Sequence, residues 1–288
     1  MDLSVPVTDD VTLHVRHRPG TASLPFLLVH GMASSARLWD EVAGHLAAAG
    51  HAVYAVDLRG HGDSDTPGTG YDTPTAVADL AAAAAALGLD RVVVAGHSWG
   101  GNVAVRLTAE CPELVAALAL VDGGWLEPAT SFPSWEAFAG ALRPASLEGA
   151  TVRSVTDYFR AIHPDWSPAA IEAAVATMRV NPDGSLSRRM STEQHESMLR
   201  SIWNEPPGPW YAAITVPTLL MPAIPKGAND TWADRIRARI RETTAGLRHA
   251  TMREYVDSEH DLHVQHPRRV ADDLLDLARG VQPAHRAR

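Results

Sequence analysis

The sequence predicts an α/β protein with a mostly parallel central sheet of about eight strands, flanked by helices and carrying an inserted helical cap. Three observations carry this expectation. Short apolar runs that read as buried strands alternate with single helical stretches. One strand-to-helix junction is Gly96-His97-Ser98-Trp99-Gly100, a Gly-x-Ser-x-Gly pattern. The strand pattern stops after Gly124 and returns only near Thr218.

In chain order, residues 3–7 and 11–16 alternate apolar and polar around Thr8-Asp9-Asp10, which predicts an antiparallel hairpin. Phe26-Leu27-Leu28-Val29 reads as a buried strand ending at His30-Gly31. Residues 39–49 read as a helix stopped by Gly50, and residues 52–56 as the next strand. The stretch 57–65 is loop by composition. Residues 75–87 are helical, with an alanine run whose bare face can lie close against a sheet. Val92-Val93-Val94-Ala95 is a strand, and helical spacing follows Ser98 as far as Cys111 and Pro112. Residues 115–121 form a strand ending at Asp122-Gly123-Gly124.

From Trp125 to Trp210 no strand-like run is visible, and prolines divide the helical pieces. Five of the eight tryptophans fall here: Trp125, Trp135, Trp166, Trp203 and Trp210. The segment 125–210 is therefore expected to be a cap, and residues 1–124 with 211–288 the core. Sheet character returns at 218–221, a helix follows over 231–243, Tyr255-Val256 ends a last strand, and residues 267–280 form a final helix. Arg235, Arg237, Arg239 and Arg241 spread around their helix and read as solvated.

Composition narrows the function. The 288 residues are 45% hydrophobic and 20% charged, enough for one large core. A net charge of -9 gives no electrostatic case for nucleic acid. The single cysteine, Cys111, excludes an intrachain disulfide and reads as a packed apolar residue. Met1-Asp2-Leu3-Ser4 has neither the basic nor the apolar run of a secretory leader. No run of about 18 uncharged apolar residues offers a membrane span. A reducing, cytoplasmic setting is expected. No phosphate loop, metal cluster or dinucleotide fingerprint is present, so neither cofactor nor metal is expected.

Several motifs, in order, resemble the α/β-hydrolase fold family over nearly the whole chain. Leu28-Val29-His30-Gly31-Met32 is similar to its strand and His-Gly loop. Asp57-Leu58-Arg59-Gly60-His61-Gly62-Asp63-Ser64 is similar to its Asp-x-Arg-Gly-x-Gly-x-Ser loop. Gly96 to Gly101 resembles its nucleophile elbow, and His260 to Pro267 its histidine loop.

The resemblance implies that Ser98 attacks an acyl carbon after a base takes its proton. Of 14 histidines, His260 stands at the family's position for that base. His97, inside the elbow, reads as structural, and His263 and His266 as surface or supporting residues. The resemblance places the oxyanion donors on the backbone N–H groups of Met32 and Trp99. His30 and Gly31 are expected to shape that loop and meet substrate, with Trp125, Trp135 and Trp203 lining the pocket.

The acid departs from the commoner pattern. After Val216-Pro217-Thr218-Leu219-Leu220-Met221, Lys226 falls where many relatives carry it, and Asp230 fits only a lengthened loop. Asp122, at the end of the sixth strand, resembles the acid of haloalkane dehalogenases and zearalenone-lactonase-like hydrolases. It is favoured, with Asp230 as the alternative. Glu259 adjoins His260 in sequence and is a poorer candidate.

Epoxide hydrolases and haloalkane dehalogenases of this family place an aspartate where Ser98 stands, so the serine points to acyl transfer. The expected function is hydrolysis of an ester, lactone or related acyl bond of a hydrophobic small molecule. A carbon–carbon hydrolase or thioesterase on the same triad is the alternative, and a slow-turnover small-molecule receptor is the alternative of another class.

Overall fold

The computed structural model describes residues 1–227 and 230–281, with the backbone alone for residues 230–232. The chain opens with β1 (Asp2–Pro6), β2 (Thr12–Arg18) and β3 (Phe26–Val29). A 3₁₀ turn at Ala36–Trp39 leads into α1 (Asp40–Ala48). β4 (Val53–Val56), α2 (Thr73–Ala86), β5 (Val92–His97), α3 (Trp99–Glu110) and β6 (Val115–Val121) follow. Next come α4 (Trp135–Ala141), α5 (Val152–Ile162), α6 (Pro168–Val175), β7 (Arg179–Val180), β8 (Leu186–Ser187) and α7 (Thr192–Asn204). The chain continues through β9 (Thr218–Met221), β10 (Ala223–Ile224), α8 (Asp230–Gly246), β11 (Ala250–Met252), β12 (Tyr255–Val256), α9 (Leu262–Gln265) and α10 (Pro267–Arg279).

Eight strands form the main sheet in the order β1-β2-β4-β3-β5-β6-β9-β11. The β1–β2 and β2–β4 pairs are antiparallel and the rest parallel. β3, β5, β6 and β9 are buried on both faces, which is why they read as unbroken apolar runs. Successive side chains of β3 point opposite ways. Phe26 and Leu28 join Trp39, Leu46 and Leu274 in one core layer, while Leu27 and Val29 join Leu80, Val103 and Leu107 in the other. β3 lies between β4 and β5, so the chain leaves it in one direction and returns on the other side. Open parallel sheets bind ligands at the carboxyl ends of strands at such a switch point.

The helices between β6 and β9 start on local signals. Ser134, Thr151, Ser167 and Ser191 each accept a hydrogen bond from the backbone N–H three residues on. Two features depart from the sequence reading. The segment does contain strands: β7 and β8 pair across the turn Asn181-Pro182-Asp183-Gly184, where Gly184 takes φ 82°. The main sheet ends on β11, while Tyr255-Val256 pairs with β10 in a separate two-stranded ladder. Pro222 has no N–H to donate, so the ladder of β9 breaks there. A 3₁₀ turn at Gly208–Ala213 straddles the expected boundary at 210–211. Its Tyr211 hydroxyl donates to the Gly124 carbonyl at 2.7 Å and so closes the two ends of the segment on each other. No helix among the described residues is long and apolar enough to cross a membrane.

Candidate active site

Ser98 stands between β5 and α3 with φ 54° and ψ -125°. A non-glycine residue held there stores strain of about 1–3 kcal/mol, so the surroundings must enforce it. They do so by close approach. A Cβ on Gly96 would lie 2.2 Å from the Gly100 carbonyl oxygen, and one on Gly123 would lie 2.1 Å from the Ser98 carbonyl oxygen. Neither position admits a side chain. The Ser98 N–H donates to the Val121 carbonyl at 3.1 Å, and the Gly101 N–H donates to the Ser98 carbonyl at 2.9 Å. The β5–β6 register pairs His97 with Val121, so Ser98 and Asp122 leave the sheet side by side.

Asp122 has φ 41°. Its Oδ1 accepts from the Ala223 N–H at 3.0 Å, and its Oδ2 accepts from His260 Nδ1 at 2.6 Å. Partial desolvation works against the imidazolium of His260, whose side chain is half exposed. The hydrogen bond and charge of Asp122, joined by the charge of Asp261, outweigh it and raise the pKa above the ordinary histidine value. With Nδ1 donating, Nε2 is the free nitrogen. Among the described residues, no hydrogen bond joins it to Ser98 Oγ; such bonds are often long before substrate arrives. The Asp230 side chain lies outside the described residues. Glu259 turns away from the site and meets His163 Nδ1 at 2.5 Å.

Other histidines support these groups. His97 is buried, and its Nε2 donates to the His260 carbonyl at 3.0 Å. Burial pushes its pKa well below the histidine norm, so it stays neutral. His263, read from sequence as a surface or supporting residue, is fully buried with its ring 4.3 Å from those of Trp39 and His97. His30 Nδ1 donates to the Gly31 carbonyl at 2.7 Å, and its Nε2 accepts from the Leu58 N–H at 3.0 Å. With both nitrogens taken by backbone, buried His30 shapes the loop and has no group left for a substrate, contrary to the second half of its expected role. Gly31 lies against the nucleophile, where its Cβ would be 2.9 Å from that of Ser98. Met32 is partly buried, and the Trp99 indole donates to Thr73 Oγ1 at 3.1 Å.

Asp57 is a supporting residue that the motif marked without revealing its work. It accepts from the Ala36 N–H at 2.7 Å, the Asp63 N–H at 3.1 Å and His14 Nδ1 at 2.8 Å. Burial alone would raise its pKa, but these donors and the nearby His30 bring it down to about 2. The carboxylate thus ties the residues after Met32 to the 57–64 loop. Two sets of donors come within 4.8 Å of one another, His97 with Asp261 and His263, and His14 with Asp57 and Asp63. The second set is joined by the hydrogen bonds just described, and in the first His97 uses Nε2 on the His260 carbonyl.

A cavity of about 1170 Å³ opens between residues 135–199 and the core loops, which it reaches at Ala33, Ser34, Gly60 and His61. Ser98 and His260 are not on its walls, whereas Ala33 and Ser34, in the loop after Met32, are. Of the three tryptophans expected to line a pocket, Trp135 does so. Trp203 packs on Trp135 and Phe138 at ring distances of 6.2 and 5.7 Å, and Trp125 packs on the sheet core. Trp203 thus belongs to the packing of the segment and Trp125 to the cover of the core, and neither lines this cavity. The cavity also carries Arg143, Arg188 and Arg189, which sequence reasoning did not single out. Scattered arginines in loops look the same in sequence whether solvated or lining a pocket.

Comparison with known proteins adds four findings. The profile of the alpha/beta hydrolase fold matches residues 25–267. A soluble epoxide hydrolase from a Corynebacterium species is 35% identical over 153 residues, covering 52% of this chain and 48% of that protein. An N-formylmaleamate deformylase from Pseudomonas putida is 37% identical over 155 residues, covering 52% and 55%. The chain spans about half the length of these curated relatives. A crystal structure of E-2-(acetamidomethylene)succinate hydrolase superposes with a TM-score of 0.79 at 21% identity, covering 97% of this chain and 99% of that one.

Proposed function

The chain belongs to the α/β-hydrolase fold family, and on that premise we propose that it is a serine hydrolase acting on an ester, lactone or related acyl bond. The observation that carries this reading is the contact between His260 Nδ1 and Asp122 Oδ2 at 2.6 Å, beside a serine on a strained elbow. In this reading Ser98 Oγ attacks the acyl carbon while His260 Nε2 takes its proton. The backbone N–H groups of Met32 and Trp99 hold the oxyanion. His260 returns the proton to the leaving group, leaving an acyl-enzyme on Ser98. A water then attacks, His260 accepting its proton and passing it to Ser98 Oγ as the acyl–oxygen bond breaks, so that a carboxylic acid and free Ser98 result. Asp122 holds the imidazole in its Nδ1–H tautomer and stabilises the transient cation. Residues 125–210 act as a cap that shapes the substrate pocket.

Epoxide opening, the activity named for the Corynebacterium relative, needs displacement at an sp³ carbon, for which serine is a poor nucleophile. Amide cleavage, suggested by the deformylase relative, uses the same acyl-enzyme route and falls within the reading. The test is labelling with an alkyl fluorophosphonate, located by mass spectrometry, beside steady-state hydrolysis of p-nitrophenyl esters. Adduct on Ser98 with multiple turnovers supports an enzyme. A single stoichiometric burst with retained product would identify a receptor instead.

A further inference from the structure

We propose that the cavity between residues 135–199 and the core loops takes an anionic end of the substrate, a carboxylate held by Arg188 and Arg189, so that the substrate is an amphipathic carboxylic acid derivative. This rests on the reading that acyl transfer occurs at Ser98.

The charged groups on the cavity wall are Arg143, Arg188, Arg189, Glu136 and Glu196. Both glutamates are drawn to Arg200, which is not on the wall. Glu196 Oε1 lies 3.6 Å from Arg200 Nη2, and Glu136 feels the same guanidinium. The three arginines are poorly matched by acids. Arg189 Nη2 lies 3.3 Å from Asp63, but Asp63 also serves Arg37 at 3.0 Å. Arg189 Nε is buried without a hydrogen-bond partner, so this guanidinium is less well satisfied than those held by aspartates. Arg188 donates at 2.5 Å to the neutral Ala145 carbonyl. Burial lowers its pKa and no carboxylate counters this, whereas Arg16, Arg59 and Arg253 are each raised by a partnered aspartate. Arg143 makes no ion pair among the described residues.

The remaining titratable groups facing the cavity do not offset this. Burial pushes His61 down to about 3 and lowers His195, so both stay neutral. The N-terminus of α7 brings Ser191 and Thr192 to the same wall, and the carboxylate of Glu193 in that turn, which accepts from Ser191 Oγ at 2.7 Å, offsets the helix dipole there. With their partners counted, Arg143, Arg188, Arg189, Arg37 and Arg200 stand against Glu136, Glu196, Asp63 and Glu193, an excess of one positive charge that suits a monoanion better than a phosphate dianion. The rest of the wall includes Leu147, Val155, Tyr158, Phe159, Met178 and Leu199, which suit an apolar body. The whole chain carries -9, so this cationic patch stands out against an acidic background.

The test compares the mono-p-nitrophenyl ester of glutaric acid with p-nitrophenyl pentanoate, matched in length and differing in the terminal carboxylate. The expected result is a preference of about tenfold or more in kcat/KM for the hemiester, carried by KM and shrinking as salt rises. Arg188→Gln and Arg189→Gln should each bring the ratio of the two esters toward one, while the exposed Arg153→Gln leaves it unchanged. Equal rates for the two esters in the unmodified protein, or a ratio untouched by both cavity variants, would overturn the proposal. A second measurement does not depend on turnover: calorimetric binding of glutarate to Ser98→Ala protein. Binding that weakens in Arg188→Gln supports the subsite even if no ester is cleaved, and that outcome would count against the hydrolase reading alone. No glutarate binding overturns the subsite. Should Arg189→Gln fail to fold, the salt dependence and Arg188→Gln carry the test.

Discussion

Helices α3 and α5 are nearly equal in length and opposite in how they are held. Nine residues of α3 are buried, among them Val103, Ala104 and Leu107, and its first turn is jammed against backbone from three other segments. None of the residues of α5 is buried, and Tyr158 is 59% exposed. α5 is started by a reciprocal capping box between Thr151 and Ser154, a purely local device. Its apolar residues Val152, Val155, Phe159 and Ile162 recur at helical spacing along one stripe. A helix clamped on all sides can impose a strained serine, because relaxing it would disrupt the whole core. α5 is held by its caps and by Phe159 packed against the cluster of Trp166 and Ile171, and it leaves Val155 and Tyr158 on the cavity wall. The proposed chemistry draws on the first kind of element and the proposed substrate subsite on the second.

Four experiments can break or sharpen that contrast. Ser98→Ala should lower kcat by about 10³-fold or more, with the melting temperature unchanged or slightly raised as elbow strain is relieved. Retention of a tenth of the activity would remove the clamped element from the chemistry. Asp122→Asn should lower kcat by about 10²-fold or more, while Asp230→Asn stays within about threefold. The reverse ranking would move the acid from the end of β6 to the start of α8.

The pH profile is third. His260 must be neutral to accept the Ser98 proton, and Asp122 raises its pKa by favouring the cation. Activity should therefore rise with pH through an apparent pKa above that of free histidine, falling about tenfold per unit below it. In Asp122→Asn protein the residual activity should titrate at lower pH. A midpoint that does not move would mean that Asp122 does not set the charge of His260.

The smallest effect is expected on α5. Tyr158→Ala should change unfolding free energy by no more than about 0.5 kcal/mol, since the ring is largely exposed. The ratio of kcat/KM for long against short acyl esters should still shift by about threefold, read from matched p-nitrophenyl esters. By contrast, Leu107→Ala in α3 should destabilise by about 2–5 kcal/mol in urea denaturation, because a fully buried leucine leaves a cavity. Equal destabilisation by the two would erase the distinction between the helices.

By itself the sequence determined whatever follows from local sterics and periodicity. Runs such as 115–121, bounded by turn residues, read as buried strands, and Gly96 and Gly100 mark where the backbone comes too close for a side chain. The strand-then-helix alternation sufficed for a parallel sheet, while the order of its strands, with β3 between β4 and β5, came only with the fold. Even the separate ladder of β10 and β12 has a visible cause in Pro222, once one asks which residue lacks a donor.

Only the tertiary structure decided matters of long-range contact. That His260 meets Asp122 across 138 residues, and that His97 holds the His260 carbonyl across 163, depends on how the strand ends converge. Nothing in the neighbourhood of Asp122 or Lys226 encodes that convergence. The tryptophans show the same limit, since Trp135 and Trp203 are alike in composition and spacing yet only Trp135 meets the cavity. So do the arginines, which look solvated until burial and the scarcity of nearby carboxylates are seen together. Backbone conformation is set within a few residues, and sequence carries it directly. Burial, charge pairing and pocket lining are properties of neighbours in space, which a chain acquires only on folding.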